Sequence, residues 1–147
     1  MHVAVIHESL TGNTERAAEL IAAELRAAGH TASVSPAARV DLAGLAAADL
    51  VVVGSWVDGL FLVGQKPARA GRLRKLPTMV GKRAAVFCTY ALDPGRTLDS
   101  LSTIVADRGG EVVGGMALHR KRLETDAREL VDRLLAVVET GSDAASA

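Results

Sequence analysis

The sequence predicts an α/β protein in which helices cover both faces of a parallel sheet. Five short apolar runs alternate with segments whose apolar residues recur at helical spacing. The runs 3–6 and 50–53 are uninterrupted and rich in β-branched residues, which is typical of strands buried on both faces. Right-handed crossovers leave two main strand orders, 2-1-3-4-5 and 3-2-1-4-5. In either order, a ligand site is expected at the carboxyl ends of the strands.

The other helices and strands follow from the same patterns in chain order. A helix over 15–28 comes after the first strand, and Gly29 is its expected C-cap. Asp41 stands near the N-cap of a short helix over 41–48. Pro67 falls in the first turn of a basic helix that runs to residue 76. The remaining predictions are strands over 30–35, 84–87 and 112–118, the last interrupted at Gly114 and Gly115, and helices over 98–105 and 123–138.

Composition indicates one globular domain over residues 1–140 and a small, polar, disordered tail over 141–147. The 17 basic and 17 acidic residues balance, which gives no reason to expect nucleic acid or an acidic membrane as partner. No apolar run approaches the roughly 20 residues of a membrane helix. Cys88 is the only cysteine, so a disulfide within the chain is excluded and a reducing cytoplasm is the expected location.

Residues 8–14 combine hydroxyls, a glycine and an asparagine where the first strand gives way to a helix. Free backbone N–H groups and the positive end of the helix dipole favour a phosphate at such a place, although simple helix capping uses the same residue types. The triphosphate and dinucleotide glycine motifs are absent, as are the clustered acids of a phospho-receiver domain. A single phosphate monoester therefore suits this loop best.

The motif Ser9-x-Thr11-Gly12-Asn13-Thr14 resembles the phosphate loop of the flavodoxin family, Ser/Thr-x-Thr-Gly-x-Thr. Element order and length extend the resemblance over the whole chain, and the fifth strand leaves no room for the insertion of long-chain flavodoxins. The resemblance implies a three-layer α/β/α sandwich, a five-stranded parallel sheet of order 2-1-3-4-5 and flavin mononucleotide (FMN) as cofactor. The residues it assigns to the FMN phosphate are Ser9, Leu10, Thr11, Gly12, Asn13 and Thr14.

Two further loops complete the site that this resemblance implies. The predicted loop 55–64 opens with the stretch Gly54-Ser55-Trp56-Val57-Asp58-Gly59, which resembles the family loop that stacks an aromatic ring on the isoalloxazine. Backbone N–H groups of Thr89, Tyr90, Ala91 and Leu92 are expected to reach the flavin pyrimidine edge. Tyr90 follows the fourth strand directly, earlier than the family's stacking tyrosine. Val57 is β-branched and resists the positive φ that a flipped peptide needs there, whereas the Asp58-Gly59 peptide permits it.

Charge distribution is a second departure from the family, whose members are acidic around the flavin. Residues 60–92 contain seven basic side chains, from Lys66 to Arg83, and no acidic one. A second basic cluster, 119–122, follows the fifth strand. A solvated helix face is the ordinary explanation for such a run. If these basic residues lie near the flavin, they raise the reduction potential of its second reduction step.

The function expected from these features is an FMN-binding carrier that moves electrons between a reductase and an acceptor, with redox proteins as partners. One alternative is an FMN-dependent reductase that takes hydride from NADH or NADPH and reduces a quinone or a nitro group. A second alternative is an interaction module that keeps the fold without the flavin. No acid–base pair, nucleophile triad or metal-ligand spacing is visible, so no catalytic residue and no metal ligand is predicted. Cys88 is interpreted as a small buried strand residue, and His7 as either a packing or a solvent-facing residue.

Overall fold

Five parallel strands organise the computed structural model of the chain, which describes residues 1–9, 12–58, 66–67 and 70–146. The strands are β1 (His2–His7), β2 (Thr31–Pro36), β3 (Leu50–Asp58), β4 (Lys66–Pro67), β5 (Arg83–Tyr90) and β6 (Glu111–His119). The parallel strands occur in the spatial order β2-β1-β3-β5-β6, which confirms the order 2-1-3-4-5 and excludes the alternative. The two-residue strand β4 pairs antiparallel with the end of β3.

Helices connect the strands and cover both faces of the sheet. They are α1 (Asn13–Ala27), α2 (Leu42–Ala47), α3 (Ala70–Leu73), α4 (Thr97–Asp107) and α5 (Leu123–Ser146), with a 3₁₀ turn at Ala37–Arg39. Asp41 is the N-cap of α2, because its Oδ1 accepts a hydrogen bond from Gly44 N at 3.0 Å. Gly29 follows α1 with φ +92°, the left-handed conformation that ends many helices.

The core consists of two apolar layers, one on each face of the sheet. Alternation along β1 sends Val3 and Val5 towards α1 and α5, and sends Ala4 and Ile6 towards α2, α3 and α4. Because both faces are covered, β1 and β3 are buried over almost their whole length. This arrangement fixes the carboxyl ends of the central strands as one rigid edge.

The central strands run further towards that edge than their composition suggests. The sequence predicts a loop over 55–64, yet β3 continues to Asp58; it also predicts a loop from Tyr90, yet β5 includes Tyr90. The two strands stay paired as far as Trp56 and Thr89, and β4 pairs with Val57 and Asp58 on β3. Neighbouring strands thus supply partners for backbone groups that a loop would leave to solvent.

Three other segments differ from their sequence patterns. The prediction of a basic helix from Pro67 to residue 76 is wrong, because Pro67 lies in β4 and α3 covers only Ala70–Leu73. Proline is tolerated there since β4 is a short edge strand. The sequence predicts an interruption of the last strand at Gly114 and Gly115, but β6 continues through both. The pairing of β5 with β6 instead shifts register between Ala84 and Ala85 of β5. The backbone of α5 is helical as far as Ser146, whereas composition predicts a disordered tail from 141; this stretch is rich in alanine and lacks proline.

Candidate functional site

The three segments singled out in the sequence meet at the carboxyl edge of the sheet. Glu8, directly after β1, donates its backbone N–H to the carbonyl oxygen of Gly54 in β3 at 2.9 Å. The hydroxyls of Thr14 in α1 and Thr89 in β5 lie 2.8 Å apart and are buried. Trp56 stands opposite Thr89 in the β3–β5 register. The first, second and third predicted segments are therefore in direct contact.

The start of α1 has the properties of an anion site. Gly12 is the N-cap with φ +92°, and among the described residues no side chain caps the helix from that position. The Gly12 N–H instead donates to Ser9 Oγ at 3.1 Å. The first N–H groups of a helix have no partner within the helix, so they are available to a ligand. Ser9, Gly12, Asn13 and Thr14 are described here, whereas Leu10 and Thr11 lie outside the described residues.

Thr14 uses its hydroxyl inside the protein rather than only towards the helix start. It is 1% exposed and Thr89 is 3% exposed, so solvent hardly reaches the pair. In a pair of hydroxyls one oxygen accepts and the other donates, which leaves one O–H hydrogen for a third group. The pair ties α1 to β5, and it keeps one donor at the junction of two predicted site segments.

In the second segment, the packing of Phe87 explains why residue 54 is a glycine, and the residues after it face alternate sides of the sheet. A Cβ at Gly54 would lie 2.0 Å from the Phe87 ring, so the position requires glycine. Val57 is 6% exposed and belongs to the apolar layer on the α3 and α4 side, whereas Ser55 is completely buried. Since side chains alternate along a strand, Trp56 faces the opposite side, which is that of α1 and Thr89. Trp56 is half-buried, the backbone of Asp58 ends β3, and Gly59 lies outside the described residues.

The Tyr90 side chain packs against His119 of β6. Its ring lies 5.0 Å from that of His119 in an edge-to-face arrangement, and its carbonyl oxygen accepts a hydrogen bond from Arg120 N at 2.9 Å. Ala91 and Leu92 follow β5 in a bend, and the Leu92 side chain is 78% exposed. The third segment thus offers Thr89 on the α1 side and an exposed apolar Leu92 beyond the strand. The contact between Tyr90 and His119 is not evident from the sequence.

The titratable side chains at the end of β1 form a pattern that the sequence did not reveal. Glu8 is 4% exposed, and Arg72 Nη1 of α3 lies 3.4 Å from both of its carboxylate oxygens. His7 is also buried, and burial lowers the pKa of its imidazole against the raising effect of Glu15, Glu19 and Glu8. Among the described residues, His7 Nδ1 has no hydrogen-bond partner. Burial therefore favours the uncharged form of His7, which lies next to the ion-paired Glu8.

Cys88 is completely buried in β5, and burial raises the pKa of its thiol to about 12. A thiol of that pKa stays protonated near neutral pH and is a poor nucleophile.

A positively charged cavity of about 310 Å³ lies beside this edge, between the start of α1 and the turn from β6 to α5. Two acidic side chains near it are already engaged. Glu124 lies 3.2 Å from Arg16, and Asp126 accepts a hydrogen bond from His119 N at 2.9 Å. Glu124 pairs with Arg16, and Asp126 also lies 4.0 Å from Arg122, so Arg120 and Lys121 give the cavity its net positive charge. Its lining residues are Arg16, Arg120, Lys121, Arg122, Leu123, Glu124 and Thr125.

Two other classes of site are absent from the described ranges. No cluster of His, Cys, Asp and Glu side chains there is arranged to bind a metal ion. None of the helices described there combines the length and the hydropathy that crossing a bilayer requires.

A doubly wound parallel sheet with a helix start at its switch point is typical of α/β proteins that bind ligands at the carboxyl ends of their strands. A family model described as "Flavodoxin domain" matches residues 4–106, which include all three site segments. The match covers more than half of the chain, and the chain belongs to this flavodoxin domain family.

Solved structures show the same fold. A cysteine-to-serine mutant of flavodoxin from Pseudomonas aeruginosa is 22% identical with a TM-score of 0.72, over 95% of this chain and 99% of that one. Oxidised flavodoxin 1 from Bacillus cereus is 21% identical with a TM-score of 0.69, over 95% and 98%. Two-electron-reduced Megasphaera elsdenii flavodoxin is 23% identical with a TM-score of 0.67, over 88% and 95%. Among curated proteins there is no match.

Proposed function

We propose that this protein binds FMN at the carboxyl edge of its sheet and carries electrons between a reductase and an acceptor. The observation that supports the proposal most is the position of Trp56. It lies on the α1 side of the sheet, so an aromatic ring and the N–H groups at the start of α1 lie on the same side of one edge. A flavin carrying a phosphate needs these two features together.

The residues present fit an FMN molecule. Residues 9–14 would hold the phosphate, through the N–H groups of Asn13 and Thr14 and the loop hydroxyls. Residues 54–59 and 89–92 would border the isoalloxazine, with Trp56 stacked on it and backbone N–H groups of 89–92 at its pyrimidine edge. When bound, FMN supplies one-electron and two-electron redox chemistry, and the protein orients it and limits the access of water.

The charges of this chain indicate which surface its redox partner presents. The cations of the cavity beside α5, together with Arg72, lie near the edge where the flavin would be bound. An acidic partner surface would be attracted there, and electrostatic attraction acts mainly on the rate of association. We therefore propose acidic redox partners in the cytoplasm, in contrast to the basic partners that suit an acidic flavodoxin rim.

The second candidate function is that of an NAD(P)H-dependent reductase of quinones or nitro groups. The observation that favours it is the same basic cavity, since the net positive charge that Arg120 and Lys121 give it also suits the phosphates of a nicotinamide nucleotide.

One experiment separates the two functions. Purified FMN-loaded protein is mixed with NADPH and a quinone under anaerobic conditions, with and without a separate flavoprotein reductase. If the protein is a carrier, NADPH is oxidised only when the reductase is present, and a higher salt concentration slows electron transfer between the two proteins. Rapid oxidation of NADPH by the protein alone identifies it as the reductase and contradicts the carrier function.

A further inference from the structure

The buried hydroxyls of Thr14 and Thr89 carry one hydrogen more than the contact between them can use. Their oxygens lie 2.8 Å apart, and within the described part of the chain neither side chain makes another hydrogen bond. Each hydroxyl has one hydrogen, and only one hydrogen can lie between two oxygens. The second O–H group therefore has no acceptor among the described residues, although both threonines are almost completely buried.

The position of Thr14 indicates what the missing acceptor is. A buried O–H group without an acceptor is costly, so a ligand that supplies one is favoured. Thr14 is the second residue of α1, and the N-cap Gly12 has no side-chain cap. The N–H groups of this first turn favour an anion, and an anion bound there is an acceptor for the Thr14 hydroxyl. Thr89 lies in the central strand β5, and its hydroxyl contacts the helix start through Thr14.

A bound anion would fix the direction of donation between the two hydroxyls. Without a ligand, either oxygen can be the donor. Once Thr14 donates its only hydrogen to an anion, its oxygen has to accept from Thr89. A hydroxyl that accepts a hydrogen bond is a stronger donor, by about 10–30% per bond. Thr89 therefore strengthens the hydrogen bond that Thr14 makes to an anion.

Thr89 also holds the Thr14 side chain in one rotamer. A threonine in a helix divides between two rotamers, because its hydroxyl can turn towards the backbone. The contact with Thr89 keeps the Thr14 hydroxyl on the β5 side of the helix start. Valine at position 89 would present a methyl group instead of a hydroxyl, so Thr14 would gain nothing from keeping this rotamer.

We propose that Thr89 is a positioning residue whose hydroxyl donates to Thr14 and thereby orients the Thr14 hydroxyl as a donor to the flavin phosphate. This inference rests on the proposed FMN function, and it adds a side-chain role to the backbone contacts proposed for residues 89–92. Thr89 acts through Thr14, so its loss penalises FMN and leaves riboflavin, which has no phosphate, nearly unaffected. The strand β5 in this way contributes to the selectivity for the phosphorylated flavin.

The test measures dissociation constants of FMN and riboflavin by quenching of flavin fluorescence. Flavin-free wild type is compared with Thr89→Val, Thr14→Val, the double variant and Thr89→Ser. Thr103→Val is the matched control, because it removes the hydroxyl of an exposed threonine on α4. Circular dichroism spectra establish that each variant is folded, and Thr89→Ala replaces Thr89→Val if that variant does not fold.

Thr14→Val is expected to weaken FMN about tenfold relative to riboflavin, because a hydrogen bond to a charged acceptor is lost. Thr89→Val should weaken FMN about threefold relative to riboflavin, because that hydrogen bond is kept but is weaker and less well oriented. The double variant should show the same FMN preference as Thr14→Val, since no hydroxyl is then left at position 14 to orient. Thr89→Ser and Thr103→Val should keep the preference of the wild type.

Phosphorus NMR of bound FMN supplies a second readout, because the phosphate resonance responds to the donors at its oxygens. Thr14→Val and Thr89→Val should both shift this resonance, and in the same direction. Thr89→Val should cause no further shift when it is combined with Thr14→Val. A residue that only supported the fold would not produce this pattern.

Three results overturn the inference while FMN binding by the wild type stands. The first is an FMN preference of Thr89→Val equal to that of the wild type. The second is an equal loss of FMN and riboflavin in Thr89→Val, which would mean that the hydroxyl acts on the shared part of the flavins or on the fold alone. The third is a further loss of FMN preference when Thr89→Val is added to Thr14→Val, which would mean that Thr89 donates to the phosphate itself. A wild type that binds neither flavin refutes the proposed function, and the inference with it.

Discussion

The hydroxyl pair of Thr14 and Thr89 can be removed with almost no change of shape, because valine replaces each hydroxyl by a methyl group. The two oxygens lie 2.8 Å apart, and the residues are 1% and 3% exposed, so water has little access to an oxygen that loses its partner. An unpaired buried hydroxyl costs about 1–3 kcal/mol, whereas removal of both partners is nearly neutral. Thr14→Val and Thr89→Val should therefore each lower the free energy of unfolding by about 1–3 kcal/mol. The double variant should lose less than the sum of the two.

Urea unfolding followed by circular dichroism measures these differences, with the m-value as a check that the unfolded state has not changed. Thr103→Val is the matched control, because Thr103 is an exposed threonine on α4 whose hydroxyl donates only to the Asp99 carbonyl oxygen at 3.1 Å. Its cost should stay within about 0.5 kcal/mol. Single variants no more costly than this control, or a double variant equal to the sum, would refute a coupled buried pair.

Three further predictions concern the same edge. Gly54→Ala should lower the free energy of unfolding by about 1–3 kcal/mol, because the added Cβ meets the Phe87 ring. In a urea titration, Phe87→Leu in the same chain should recover part of that loss. An unchanged stability of Gly54→Ala would show that the Phe87 ring moves aside without cost. Cys88 should react with a thiol reagent at pH 8 only after unfolding, because its pKa is raised to about 12, and fast reaction of the native protein would contradict its burial. The pKa of His7 is lowered from 6.5, so below that pH the unfolded chain binds more protons than the folded one and stability falls as the pH falls. His7→Gln should therefore flatten the dependence of the melting temperature on pH between about pH 7 and 5. An unchanged dependence would mean that other groups cause it.

The sheet and its ligand edge were predictable because their signals are local. Buried strands appear as uninterrupted β-branched runs, and the hydroxyl-rich loop after the first run marks the start of α1. The strand order came from the family resemblance, since crossover rules alone left two arrangements.

What the sequence did not reveal depends on contacts between distant residues. Thr14 and Thr89 are 75 positions apart, and Glu8 and Arg72 are 64 positions apart. Pro67 starts a helix by its local pattern, but pairing with β3 makes it part of a strand. The extension of β3 to Asp58 likewise depends on β4 and β5 as neighbours. Such positions are set by the packed sheet, which no local window contains.

Calorimetric titration of flavin-free protein with FMN and with riboflavin measures what the phosphate contributes to binding. FMN should bind at least about tenfold more tightly than riboflavin, because only FMN presents a phosphate to the start of α1. Trp56→Ala should weaken both flavins, and Asn13→Ala should weaken FMN more. A protein that binds neither flavin, or binds both equally, contradicts a phosphate-anchored flavin at this edge.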